Sequence, residues 1–168
     1  YLDTKDVPAG VYEIVLRGPL KTATVKYELK ERREGSAERE SFGTKDAVYL
    51  LMPDRFANGN PDNDNVKGYL QKVDNTNLHQ RQGGDIEGII QHLDYIADLG
   101  MTALWTTPLL EDNDTLYSYH HYATTNFYKV DPRLGTNDDF VRLVDECHRH
   151  GLKYIMDIVP NHVNPRHW

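Results

Sequence analysis

From residue 44 onward the chain repeats one unit: an apolar strand, a long polar segment, then an amphipathic helix. Ala47 to Met52 is a near-continuous apolar run, as expected for a strand covered on both faces. Ile86, Ile89, Ile90, Leu93, Ile96 and Ala97 follow at helical spacing, with Asp85 placed to cap the start and Gly100 to stop the end. Met101 to Trp105 reads as a second strand. Phe140, Val141, Val144 and Cys147 mark a second helix, opened near Thr136-Asn137 and stopped by Gly151, and Leu152 to Val159 reads as a third strand. The connections are lopsided. Each helix returns to the next strand through about one glycine, but each strand reaches its helix through roughly thirty residues, against the usual ~2–6.

With parallel strands, both long segments fall at the C-terminal ends of the strands, the face where α/β folds bind and react. No dinucleotide-type glycine fingerprint follows a strand, so the pattern favours a (β/α)8 TIM barrel over a doubly wound sheet. A barrel needs about 250 residues, so this stretch supplies about three strands and two helices, a partial barrel. Residues 11–17 and 22–30 are β-prone runs around a Gly18-Pro19 turn, and residues 31–43 read as a charged linker. The expected division is therefore 1–43, the end of an N-terminal all-β sandwich domain plus linker, and 44–168, the N-terminal part of the barrel. The chain opens in mid-pattern at Tyr1, as expected if a segment precedes it.

Charge narrows the partners. Of 168 residues, 19 are basic and 26 acidic, a net charge of −7. All of the excess lies after residue 43, which argues against nucleic acid or an anionic membrane and fits a cation or a neutral ligand. No apolar run approaches the ~18 residues of a membrane span. Cys147 is the single cysteine and excludes an internal disulfide. A soluble protein is expected, with its compartment (cytoplasmic, periplasmic or secreted) left open.

Three constellations carry chemistry. Asn58, Asn60, Asn63 and Asp64 offer oxygen ligands at a spacing that suits a hard cation such as Ca²⁺; the plainer alternative is an Asx-rich turn bonding its own backbone. Asp85 has its own plain reading as a helix N-cap. Tyr117-Ser118-Tyr119-His120-His121-Tyr122 sets rings beside imidazoles, which suits a sugar that stacks on an aromatic and hydrogen-bonds through its hydroxyls. The alternatives are a metal site, for which no third ligand is evident, and a polar loop with incidental histidines. Finally, Asp157 sits on an apolar strand that leads to Asn161 and His162. A carboxylate there is costly unless paired, so it is a structural partner of an arginine, an acid or base, or a metal ligand.

Taken together, these segments resemble the α-amylase family of glycoside hydrolases. DIVPNH at 157–162, YLLMPDRFANGNPDND from 49, GGDIEGI from 83, LWTTP from 104, YHHYATTNFY from 119 and VDPRLGT from 130 carry the resemblance, which runs from Ala47 to His162. FANGNPDND with GGD is most similar to the neopullulanase and cyclomaltodextrinase subgroup, whose members carry a β-sandwich before the barrel. The resemblance implies Ca²⁺ held by Asn58, Asn60, Asn63, Asp64, the Gly83 carbonyl and Asp85, with Asn60 standing where Asp is commoner and lowering the site's charge. It implies that Tyr122 stacks under the sugar on the non-reducing side of the scissile bond, that His120 and His162 bind its hydroxyls, and that Asp157 orients an arginine from the next strand. Asn161 would be structural in this subgroup, and Asn126 stands where Asp is frequent.

The implied activity is retaining hydrolysis of α-1,4-glucans (maltodextrin, cyclodextrin or pullulan) by the whole protein, with a homodimer among its expected assemblies. The nucleophile Asp and the acid/base Glu of the family lie on later strands, so these 168 residues carry substrate-binding groups and no bond-breaking pair. The rivals are a plain α-amylase or α-glucosidase, a non-catalytic family member that serves as an interaction module, and a calcium-stabilised starch-binding module. The last is weakened because the sequence shows no second aromatic cluster away from His120–Tyr122.

Overall fold

The structure, a computed structural model, describes residues 3–36 and 38–168. Tyr1, where the sequence suggests a preceding segment, lies outside them. The chain divides into two compact units, Tyr1–Ser41 and Phe42–Trp168. In the first, β1 (Gly10–Arg17) and β2 (Thr22–Leu29) pair antiparallel from Gly10↔Leu29 to Arg17↔Thr22. The Gly18 amide closes the turn on the Lys21 carbonyl at 2.9 Å. Val11, Leu16 and Val25 remain exposed, so this hairpin buries no core of its own.

The second unit runs β3 (Val48–Leu51), α1 (Pro53–Phe56), α2 (Ile86–Ile90), α3 (Leu93–Asp98), β4 (Ala103–Thr106), β5 (Leu110–Glu111), β6 (Asn126–Val130), α4 (Asn137–Arg149) and β7 (Lys153–Met156). β3, β4 and β7 form a parallel sheet in that order, with Leu50 beside Trp105 and Trp105 beside Ile155. This is a partial TIM barrel, with the parallel sheet expected from the sequence and no closure.

Strand parity separates the two faces of the sheet. Leu51 and Leu104, with Tyr49 and Tyr154 packed against them, join Ile86, Ile89, Leu93, Ile96, Leu143 and Cys147 in one buried core under the helices. The opposite face is open: Val48 is 41% exposed, Leu50 60% and Trp105 37%. The expectation of a first strand covered on both faces is corrected here. Among the described residues every covering helix lies on one side.

The helix expected from Asp85 to Gly100 is two helices. His92 Nδ1 bonds the Gly88 carbonyl at 2.8 Å, and the His92 amide falls back to the Ile89 carbonyl at 3.0 Å. That three-residue step breaks the four-residue ladder between α2 and α3. α4 starts as its sequence indicates, with a capping box in which Thr136 Oγ1 accepts the Asp139 amide and the Asp139 carboxylate accepts the Thr136 amide. It ends before Gly151, whose φ of +71° only glycine adopts freely. The polar segment 106–136 holds structure that its composition hides: β5 and β6 pair antiparallel across it.

Candidate functional site

Both long segments gather at the C-terminal ends of β3, β4 and β7, as the lopsided connections require. Asp157 follows β7 with the parity of the open face. Its Oδ2 accepts the Trp105 indole N–H at 3.2 Å and the Tyr122 hydroxyl at 3.0 Å. Burial, then Asp157, raises the Tyr122 phenol above its ordinary value. His162 Nε2 lies 2.8 Å from the Tyr122 carbonyl, and its Nδ1 lies 3.1 Å from Asn161 Nδ2. Nε2 therefore donates to the carbonyl while Nδ1 accepts. The Tyr122 amide donates to His120 Nδ1 at 3.0 Å, and the two rings stand 5.6 Å apart. Burial lowers the His120 pKa, which favours the neutral ring.

His120, Tyr122, Asp157 and His162 thus meet at one place, with Tyr122 in the middle. Trp105 joins them, a residue the sequence reading passed over as strand core. Its parity with Asp157 on neighbouring strands was the available signal. Both nitrogens of His162 are engaged by protein groups, so a sugar hydroxyl would have to replace one of them.

His121 does not belong to this set. It is wholly buried, its Nδ1 donates to the Leu110 carbonyl at 3.0 Å, and Arg81 Nη1 donates to its Nε2 at 3.2 Å. Burial pushes its pKa down to about 3, so the ring is neutral. Around it lie Asp54, Arg81, Asp112, Asp131 and Arg133, all buried. Arg133 clasps Asp131 through two bonds of 2.9 and 2.7 Å. Nothing in a polar loop's composition distinguishes such buried charges from solvated ones.

The Asx loop is a second centre. Asn58 Nδ2 donates to Asp64 Oδ1 at 2.8 Å, and Gly83 presses against both, since a Cβ on it would sit 2.8 Å from each atom. Asn63 Nδ2 donates to Asp85 Oδ2 at 3.2 Å, while its Oδ1 is buried without a partner. Burial raises the Asp64 pKa, with Asp85 and Asp54 adding to the effect. Asp85 has a different occupation. Its two oxygens accept from the amides of Gly59, Asn60 and Gly88 at 3.0, 2.8 and 2.7 Å besides Asn63, the N-cap reading in full. Asn60 Oδ1 takes the Asp62 amide at 3.2 Å, the plain Asx turn. Asn58 and Asp64 therefore meet beside Gly83, Asn63 turns to Asp85, and Asn60 and Asp85 hold the loop. Among the described residues no three His, Cys, Asp or Glu side chains are grouped to hold a metal.

A second aromatic cluster also exists, correcting the sequence reading. Tyr128 stacks on Trp168 at 6.2 Å, and His167 links Trp168 to Phe127. Its members are some forty residues apart in sequence, so no local pattern shows it.

Residues 50–168 match the family model of the α-amylase catalytic domain. The chain belongs to the α-amylase family. The family members similar to it include neopullulanase 2 of Thermoactinomyces vulgaris, 42% identical over 68% of this chain and 19% of the relative. An α-amylase from Anoxybacillus has a solved structure that superposes with a TM-score of 0.66 at 43% identity, over 73% of this chain and 25% of that one. An α-amylase from Geobacillus thermoleovorans, solved with acarbose, gives 0.58 at 38% identity over 73% of this chain and 24% of that one. The chain spans 20% or less of the length of the curated family members it matches. Among the described residues no helix is long and apolar enough to cross a membrane.

Proposed function

We propose that the whole protein hydrolyses α-1,4-glucosidic bonds in maltodextrins, cyclodextrins or pullulan with retention of configuration, and that residues 44–168 supply one wall of its sugar site. The observation that carries this is the meeting of Tyr122, Asp157, His162 and His120 where β4 and β7 end. Tyr122 offers its ring to a glucose face. The Asp157 carboxylate and the His162 N–H fix that ring and its backbone from two sides. Among the described residues Asp157 accepts bonds through Oδ2, and its Oδ1 suits an arginine from a following strand. Residues 1–43 read as the end of a preceding β-sandwich domain.

Retention needs a carboxylate nucleophile and a carboxylic acid about 5–5.5 Å apart, which the family resemblance assigns to later strands. What this chain contributes is binding and orientation. A Ca²⁺ ion fits Asn58, Asn63, Asp64 and the Gly83 carbonyl, supported by the partnerless Asn63 Oδ1 and the charge of Asp64. It would supply a fixed positive centre that rigidifies the loop.

The test is to follow the whole protein on maltoheptaose, pullulan and β-cyclodextrin by NMR. α-Anomeric products are expected to appear first. Failure to cleave any of the three, or initial β-products, overturns the reading, and cleavage of maltoheptaose alone moves it to a plain α-amylase.

A further inference from the structure

The turn that carries the sugar-binding rings is strained at both ends. Tyr117 (φ 59°, ψ 18°) and His121 (φ 60°, ψ 22°) both adopt the left-handed conformation, and neither is glycine. Such backbone crowds any side chain beyond glycine and persists only where its surroundings hold it. His120 lies inside the turn and Tyr122 directly after it.

Three groups grip the turn: the Gln71 Oε1 that accepts the Ser118 amide, the Leu110 carbonyl that accepts from His121 Nδ1, and Arg81, which is buried and is the one that touches both residues. Its Nη1 donates to the Ser118 carbonyl at 3.3 Å, one residue inside the strained Tyr117, and to His121 Nε2 at 3.2 Å, the far end of the turn. Its Nε lies 3.5 Å from Asp54 Oδ1. Asp54 Oδ2 in turn accepts the Gln82 amide at 2.9 Å, which fixes the backbone directly after Arg81. Arg81 gains little for itself: Nε and Nη2 make no hydrogen bond although both are buried. A buried guanidinium whose Nε is only ion-paired with Asp54 and whose Nη2 makes no hydrogen bond is costly to bury. Its location makes sense through what Nη1 holds.

We propose that Arg81 is a positioning residue for glucan binding, whose guanidinium locks the strained Tyr117–His121 turn and so sets His120 and Tyr122 against the sugar. The proposal rests on the glucan-hydrolase reading only for what the turn binds. The locking itself is independent of it.

The test uses the whole protein with Arg81→Lys, which keeps the buried charge but replaces Nη1, held in place by a rigid planar group, with a freely rotating ammonium on a flexible stem. Leu143→Ala, a core cavity in α4 remote from the turn, serves as the reference for loss of stability alone. In Arg81→Lys, amide hydrogen exchange at Ser118–Tyr122 is expected to rise about tenfold while that of α4 is unchanged. Affinity for acarbose and kcat/KM on maltoheptaose are expected to fall about tenfold together, and Leu143→Ala to lower the melting temperature with both retained. Unchanged exchange in the turn, or an equal rise throughout α2 and α4, overturns the proposal. So does a loss of affinity that Leu143→Ala reproduces. If the whole protein proves to cleave no glucan, the proposed function falls, and the exchange measurement still decides the role of Arg81.

Discussion

Asp112 and His121 pull stability in opposite directions with pH, although they share one buried cluster with Asp131, Arg81 and Arg133. Burial raises the Asp112 carboxyl to about 7, against ~3.9 in an unfolded chain. The native state therefore holds a proton that the unfolded state has lost, and this contribution falls as pH rises from about 4 to 7. His121 is the mirror case: burial lowers it to about 3, against ~6.5 unfolded, so its contribution is lost as pH falls through that window. Over pH 4 to 6.5 the two nearly cancel. Asp112→Asn should remove one side of the balance. The variant is expected to match the parent near pH 4 and exceed it by a few kcal/mol, at most about 4, near pH 7. Denaturant melts at several pH values check this, and a parallel pair of curves would refute it. Tyr122 belongs to the same scale. Tyr122→Ala should lower kcat/KM on maltoheptaose by up to about tenfold, the ~0.5–1.5 kcal/mol of a lost stacking contact, and unaltered kinetics would remove Tyr122 from the sugar site.

At the level of elements, β3, β4, β7 and α4 were legible because each carries its own period and its own stop, such as Thr136 and Gly151. The break between α2 and α3 was not, because one histidine side chain competing for one carbonyl leaves no trace in apolar spacing. The motif residues of the proposed sugar site stood out for the same reason as the strands: they lie at strand ends or in a marked aromatic run. Arg81 and Trp105 were not, since what distinguishes them is a partner 37 or 52 residues away. The Asx loop is where a sequence pattern and its geometry meet most directly. Gly83 has a φ of +91° and no room for a Cβ beside Asn58 and Asp64. Gly83→Ala should strain the backbone by about 1 kcal/mol or more and spread those two side chains. In the whole protein, a chelator is expected to lower the melting temperature and Ca²⁺ to restore it, and Gly83→Ala should lose most of that response. A variant that keeps the full calcium-dependent shift would show that the cation does not sit there.

For the molecule as a whole, the two faces of the parallel sheet matter most. One face is sealed by α2, α3 and α4, and the other presents Val48, Leu50 and Trp105 to solvent. β3 and β7 also form edges with no strand beyond them among the described residues. An apolar face between two unpaired parallel edges is a template for association with further strands, and nothing such as a bulge blunts it. In a closed barrel that face is packed interior. Residues 1–168 produced alone should therefore self-associate, show weak near-UV circular dichroism and lack a sharp thermal transition. They should also cleave neither maltoheptaose nor pullulan, because Asp157, His120 and His162 place no second carboxylate at the spacing that retention requires. Size-exclusion chromatography, circular dichroism and a reducing-sugar assay on that polypeptide decide both points. A cooperatively unfolding monomer would mean that the open face is tolerated in water, and glucan cleavage by it would mean that the bond-breaking groups lie within these residues after all.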